Sequence, residues 1–492
     1  MATLSKSEAE VTVGQPIRAA AGIQPARRTA AVGAPPRRRR QPGLAAPLLL
    51  CVAAFGAEHN IADFGAKGDG KTLDTAAIQK AIDAGPGVVY FPTGRFLSGT
   101  IVLKSNITLH LSPGAVLLGS TRMEDYSPKH LIHAKGVENI AIEGSGTIDG
   151  QGDAFLDKDL KPLPRPSPLI EIWDSRGVRI QDITILKTPA WGIHPKNCNG
   201  VKIRGISLLN NLRAINTDGI DIDSSRNVLI SDNHIEAGDD CIVLKTTKRG
   251  GAVSADGSPS GAMIPAGPTE NVTVTNNVLV SAASALKLGT ESHGDFRHIV
   301  FSNCVIRESR TGIALLDNDG GTMEDVRFQN IVMTTAPKWG QGVEWPIVLD
   351  VSKRNEDSRL GHMRDIAFSD ITIYGKGRVM AAGMPESPLE QVSFRNVLMR
   401  MTGYENIAKV KKMRGGAKTE AAGMSDYGPT PAAMIFAFIK GLSLDGITTI
   451  WPGGKDAPER AAIYGDRLDG VSITGLQGTG AIRIERSTGV KQ

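Results

Sequence analysis

The sequence predicts an all-β fold, a right-handed parallel β-helix closed at its start by a short N-terminal capping helix. Three observations carry that expectation: one strand-like phrase recurs along the chain, each copy alternates apolar and polar residues, and no helix-length periodic segment separates the copies. The phrase opens on a turn-forming residue, usually Gly, Asn or Asp. An apolar-polar-apolar triplet, a small polar pair and a second alternation follow. Its first apolar residue is Val178, Val201, Val228, Val272, Ile299, Val326, Ile366, Val392 and Val471 in successive copies. Most steps are of similar length. The steps from Val228 to Val272, from Val326 to Ile366 and from Val392 to Val471 are longer, and fit two or three coils, or one coil carrying an inserted loop.

Period-two alternation makes each phrase a half-buried strand, and the Asn, Asp and Gly between strands are turn residues. Strands returning at a near-constant interval with only turns between them stack as coils of a solenoid, each covering the edge left by the one before. The open end needs a cover. Residues 75–84 are expected to supply it as a helix: Asp74 at the N-cap, an apolar stripe of Ala76, Ile78, Ala81 and Ile82, and Gly85 as terminator. Strands around Val88-Val89-Tyr90-Phe91 and Thr100-Ile101-Val102-Leu103 then begin the winding. Residues 249–269 and 402–431 break the rhythm with Gly, Ser, Pro and charge, and are expected as loop insertions in a single β-helix domain spanning 57–492.

The formal charge of +5 is uneven. Eight of the 56 Lys/Arg and two of the 51 Asp/Glu lie in residues 1–56, so the rest of the chain holds 48 basic and 49 acidic side chains. A near-neutral body gives no support to nucleic-acid binding. The four arginines at 37–40, the short apolar run at 44–55 and the small residues Ala54 and Gly56 have the form of a secretory leader. That run is too short to span a bilayer. A secreted (extracellular or periplasmic) protein without a membrane span is therefore expected, and it is taken to act as a monomer. Beyond the leader stand Cys198, Cys241 and Cys304, an odd number without metal-site spacing, read as buried packing residues.

Two phrases carry chemistry: Asn216-Thr217-Asp218-Gly219 and Gly238-Asp239-Asp240-Cys241. The step from Asp218 to Asp239 is close to one coil, so they are expected on adjacent coils of one face. Single Asp residues in such folds are most often solvated turn residues, and Asp221, Asp223 and Asp232 are read that way. Three crowded carboxylates are a different matter. Crowding raises the pKa of one of them, as a general acid requires, and glycoside hydrolysis needs an acid and a base beside the sugar.

The two phrases, on this repeat, resemble the signature of glycoside hydrolase family 28, the polygalacturonase-like enzymes of pectin breakdown. The opening Asp63-Phe64-Gly65-Ala66-Lys67-Gly68-Asp69-Gly70 is similar to that of the wider pectate-lyase-type β-helix superfamily. Trp191-Gly192-Ile193-His194-Pro195 and Gly289-Thr290-Glu291-Ser292 resemble features of bacterial members. The resemblance implies an inverting glycosidase acting on an oligo- or polysaccharide, with no cofactor and no metal. It implies Asp239 as general acid and Asp218 and Asp240 as the residues activating water.

The sequence also departs from the family. Where polygalacturonases carry Gly-His-Gly and then Arg-Ile-Lys, this chain reads Ala283-Ser284-Ala285 and Ala314-Leu315-Leu316. The lost Arg and Lys would grip a galacturonate carboxylate. Lys245 and Lys287 are the candidate replacements, with Asn216, Trp191, His194 and Glu291 as further substrate-binding candidates. Glu291 is read as contacting a sugar hydroxyl or pairing with Lys287. These departures favour an exo-acting or rhamnogalacturonan-type enzyme over a simple endo-polygalacturonase. A β-helix polysaccharide lyase and a non-catalytic carbohydrate-binding solenoid are the alternatives.

Overall fold

The computed structural model describes residues 56–248, 266–339, 343–404, 427–453 and 460–492, with the short strands Ala252–Val253 and Pro259–Ser260. The expected leader, apart from Gly56, lies outside the described residues, as do most of the insertions placed at 249–269 and 402–431. Among the described residues no helix is long and apolar enough to cross a membrane.

The repeat winds as predicted. One coil contains strands Arg176–Gln181, Thr184–Leu186 and Ile193–Lys196, and the next contains Asn199–Arg204, Ser207–Leu209 and Ile220–Asp223. Like strands of successive coils pair in parallel, so the chain builds three stacked sheets, here called first, second and third in the order a coil visits them. In the first sheet Val178 pairs with Val201, Val201 with Val228, Val228 with Val272 and Val272 with Ile299. Val326 pairs with Ile366 and Ile366 with Val392. The long steps from Val228 to Val272 and from Val326 to Ile366 are thus single coils with insertions. The step from Val392 to Val471 holds two coils, because Val392 pairs with Leu442 and Leu442 with Val471. The Leu442 copy escaped the sequence reading, as did an earlier one at Ile140, which pairs with Val178.

Backbone sterics explain the repeated turn residues. Asn227, Asn271, His298, Asp325 and Asp365, which open the phrase, have φ between 52° and 57°, and Asp232, Asn276, Asn303 and Asn330 at the next corner have φ between 52° and 61°. Asn, Asp and Gly tolerate this left-handed region, whereas β-branched residues do not. Inside, equivalent residues stack on one another. Phe301, Phe328, Phe368 and Phe394 form a ladder with ring centroids 4.7, 5.0 and 4.5 Å apart and planes within 8° of parallel. That spacing is the strand separation of a sheet, about 4.8 Å. Cys198, Cys241 and Cys304 are free and buried in this core, as expected.

The capping helix spans Thr75–Asp83. It takes the place of a third-sheet strand in the first turn, and strands Ala57–Asn60 and Asp69–Leu73 precede it. Ile78, Ala81 and Ile82 are buried, but Ala76 is exposed and does not belong to the stripe. Asp74 stands at the N-cap, yet its carboxylate accepts hydrogen bonds from the Lys67 and Gly68 amides at 2.7 and 3.0 Å instead of capping the helix. Gln79 closes the sheet edge: its amide donates to Val102 O at 3.1 Å and accepts from Val102 N at 2.8 Å. That edge would otherwise present unpaired backbone.

The outward face of the third sheet is not uniform. In the earlier coils it carries Glu171, His194, Asp221, Asp223 and Lys245. From Ala314 and Leu316 onward it becomes apolar, and these residues pack with Trp345, Val348, Met380, Tyr427, Ile435 and Phe438 into a second buried cluster outside the coil.

Candidate active site

The two motif phrases form the corners that lead into the third sheet, on neighbouring coils. Ile220 pairs with Ile242, which places Asp218 and Asp240 side by side at the strand entrances. Close stacking explains the glycines. A Cβ on Gly219 would meet Cys241 O at 2.4 Å, and one on Gly238 would meet Ala214 O at 2.2 Å. Thr217 ties the corners together: its hydroxyl donates to Ala214 O at 2.8 Å and accepts from Gly238 N at 3.2 Å.

The result is the predicted cluster. Asp218, Asp239 and Asp240 each bring one carboxylate oxygen to within 4.8 Å of the other two. Asp239 Oδ2 accepts from the Asn216 amide at 3.2 Å. Asp240 accepts from the Ser284 amide at 3.1 Å and from Lys287 Nζ at 2.7 Å, so Ser284 serves the cluster through its backbone where the family has a histidine. Asp218 is 3% exposed, and its Oδ1 is buried without a hydrogen-bond partner among the described residues.

The environments separate the three acids. Burial, reinforced by Asp221, holds the Asp218 carboxyl well above the usual range. Burial and the neighbouring Asp240 push Asp239 up to about 6. Burial would raise Asp240 too, but Lys287 and then Lys245 outweigh it and hold Asp240 below the usual range. The same three oxygens lie close enough to hold a hard cation, although the Lys287 ammonium already supplies positive charge at Asp240.

Lys245 and Lys287 both face this site. Lys245 is 3% exposed, pairs with Asp221 at 2.8 Å and lies 3.5 Å from the Trp191 ring centroid. One face of Trp191 is therefore taken by an ammonium, and its ring stands nearly perpendicular to that of His194, with centroids 5.2 Å apart. His194 itself is not a sugar contact. It is buried, with Nδ1 2.8 Å from Glu171 Oε2 and Nε2 3.6 Å from Asp223 Oδ2. Glu291 makes its ion pairs with Lys245 at 3.9 Å and Arg354 at 3.8 Å, rather than with Lys287. Asn216 stands exposed at the rim, beside Asp239.

Other residues were misread or missed. Asp221 and Asp223 are 0% exposed strand residues in a charge network, not solvated turn residues. The alternation Ile220-Asp221-Ile222-Asp223 does point them outward, but His194, Lys196, Lys245 and Thr247 pack against them there. Asp232 is the exposed turn residue expected. Arg354 reaches the site from a later coil, held by Asp319 at 2.7 and 2.8 Å. Arg165 arrives on a long corner loop, donates to Ile215 O at 3.2 Å and lies in the field of Asp218. Neither arginine sits in a motif, so no local signal marks it.

A stacked parallel β-helix with clustered carboxylates beside buried lysines defines a carbohydrate-active class of protein. Comparison narrows the class. The chain is 28% identical over 413 residues to the "Probable polygalacturonase" of Vitis vinifera, covering 76% of this chain and 80% of that one. It is 26% identical over 367 residues to an endo-polygalacturonase of Pectobacterium carotovorum subsp. carotovorum, covering 67% and 85%. Its fold is like that of a hyperthermoactive exopolygalacturonase from Thermotoga maritima, with a TM-score of 0.63 at 24% identity over 80% of this chain and 91% of that one. Residues 84–419 match Glycosyl hydrolases family 28, and the chain belongs to that family. It is a glycoside hydrolase, so the lyase and pure binding alternatives fall away.

Proposed function

We propose that this protein is a secreted, inverting glycosidase that removes sugar from the end of a pectic chain, with Asp239 as general acid and Asp240 as base. The carrying observation is the division of adjacent carboxyls. Asp239 holds a proton up to about pH 6, while Asp240 stays ionised against Lys287 at 2.7 Å. A carboxylic acid can then protonate the leaving oxygen while a carboxylate takes a proton from water. Asp218, with a carboxylate oxygen within 4.8 Å of both, completes the site by holding that water.

The oxygens approach within 4.8 Å, closer than the roughly 6.5–9.5 Å usual between the two carboxyls of an inverting pair. Water is accordingly assigned to the angle between Asp218 and Asp240, on the face of the sugar opposite the bond whose oxygen Asp239 protonates. Two features support chain-end action. The Arg-Ile-Lys of the family is replaced by Ala314-Leu315-Leu316, and from that point the second apolar cluster buries the floor on which a longer chain would lie. The positive charge for a uronate carboxylate comes from Lys245, Lys287 and Arg354.

The test is to incubate the protein with homogalacturonan, rhamnogalacturonan fragments and neutral glycans, following products and anomeric form by NMR. Single sugars or short units of inverted configuration from a pectic substrate are expected. A retained anomer would overturn the mechanism, and turnover of neutral glycans alone would overturn the substrate.

A further inference from the structure

Corners between the second and third sheets differ sharply in length. Those at Gly238, Ala282 and Glu308 span four, two and three residues, whereas those following Leu209 and Thr334 span ten each and the one following Asp149 spans twenty. The short corners sit beside the acids and leave a notch in the cleft wall. The long ones lie on either side of it.

Side chains of the long corners meet across the notch. The Arg213 guanidinium lies over the Trp339 ring, 4.4 Å from its centroid. Ser207, His234, Val278, Val305 and Val332 are successive partners in the second sheet, so these two corners are four coils apart. At strand spacing that is about 19 Å along the axis. The Trp339 corner therefore reaches back past the coils of Asp239 and Ser284 to touch the corner that carries Asp218. On its other side that corner is held by the twenty-residue corner after Asp149: Arg165 donates to Ile215 O at 3.2 Å, and Asn211 donates to Asp153 at 2.9 Å.

The wall so formed has an unusual surface. Leu163, Ile215 and Trp339, one from each long corner, are each 45% exposed. Exposed large apolar side chains on the corners that flank the acids offer apolar surface to a ligand. Trp339 has one face on Arg213 and keeps nearly half of its area open, which is the disposition of a platform for a sugar ring.

We propose that Arg213 and Trp339 form a clasp that closes the flank of the cleft beside Asp239, with Trp339 as the stacking platform for the terminal sugar. The clasp is a specificity-determining element: it confines the substrate to a chain end, and opening it admits chain interiors. This rests on the chain-end glycosidase reading above and names the residues that enforce it. Arg213 and Trp339 touch no reacting atom, so their removal affects binding and product pattern more than the chemical step.

The experiment compares wild type with Trp339→Ala, Arg213→Ala and Arg213→Lys on polymeric and short oligomeric pectic substrates, reading viscosity loss against reducing ends released. Trp339→Ala is expected to raise KM for short oligomers about tenfold, the size of one lost ring contact, with kcat little changed. It should also raise viscosity loss per bond cleaved, and so should Arg213→Ala. Arg213→Lys, which retains a cation for the ring, should restore much of the wild-type pattern. Thermal unfolding of each variant separates a local effect from misfolding. A wild type active on these chains, with folded Trp339→Ala unchanged in KM and product pattern, overturns the clasp alone. A wild type that releases nothing from any pectic substrate overturns the proposed function and the clasp together.

Discussion

Lys287 Nζ lies 2.7 Å from Asp240 Oδ2, and this contact sets the carboxyls of Asp239 and Asp240 apart. Asp240 falls below the usual range because Lys287 outweighs the cost of burial, while burial and Asp240 lift Asp239, which has no cation in contact among the described residues, to about 6. Activity requires Asp240 ionised and Asp239 protonated, so kcat/KM should be highest in mildly acidic solution and decline as pH rises through about 6. Lys287→Met removes the charge that favours ionised Asp240. The acid limb of the profile should then move to higher pH and the maximum fall about a hundredfold or more. An unchanged acid limb would show that another group is the base.

Asp239→Asn keeps the shape of the side chain and removes its proton. Loss of a general acid costs about 10²–10⁴-fold, and this change is expected at the upper end because the leaving oxygen then departs as an anion. Oligosaccharide binding, followed by calorimetry, should persist, since Lys245, Arg354 and Trp339 are untouched. Turnover of Asp239→Asn within about tenfold of wild type would contradict the acid assignment.

The coil and the acids were legible in the sequence because both repeat at short range. Left-handed corners favour Asn, Asp or Gly, and strands demand alternation, so each copy prints its own signal. The Leu442 copy was hidden because a long insertion separates it from its partner Val392, and the Ile140 copy because the long corner after Asp149 separates it from Val178. Alternation also states which way Asp221 and Asp223 point, but not whether water waits there. That depends on which side chains the adjacent coils stack against them, here His194, Lys196 and Lys245, and the alternation does not state it. Arg354 and Arg165 stayed unseen for the same reason: their placement depends on where a long corner folds back, which is a tertiary outcome. His194 was located on the right face, yet its role reversed once Glu171 and Asp223 were found on both sides of it.

The phenylalanine ladder makes a prediction about stability. Phe328 lies between Phe301 and Phe368, with centroids 4.7 and 5.0 Å away, and it is fully buried. Phe328→Ala leaves a cavity the stacked coils cannot close, because the neighbouring backbones are pinned by sheet hydrogen bonds. A loss of about 3–5 kcal/mol is expected. Phe328→Leu, which refills most of the volume, should recover more than half of it. Denaturant unfolding of the three proteins measures this, and equal losses for Ala and Leu would place the cost in ring stacking alone.

His194 gives stability a pH dependence of definite sign. Burial alone would depress its pKa, but Glu171, 2.8 Å away, and Asp223 together lift it to about 9 in the folded protein. The unfolded chain has an ordinary histidine near 6.5. The folded state thus binds a proton that the unfolded state releases between these values. Its stabilising contribution is complete below about pH 6.5 and is lost as pH rises through about 9. The Tm difference between wild type and His194→Gln should therefore be largest near pH 6 and shrink steadily toward pH 9. Glutamine retains a donor for Glu171, so what vanishes with pH is the charge and not the hydrogen bond. A Tm difference constant across that range would mean that His194 has the same pKa folded and unfolded, and that Lys196, 3.4 Å from Asp223, carries the compensation alone.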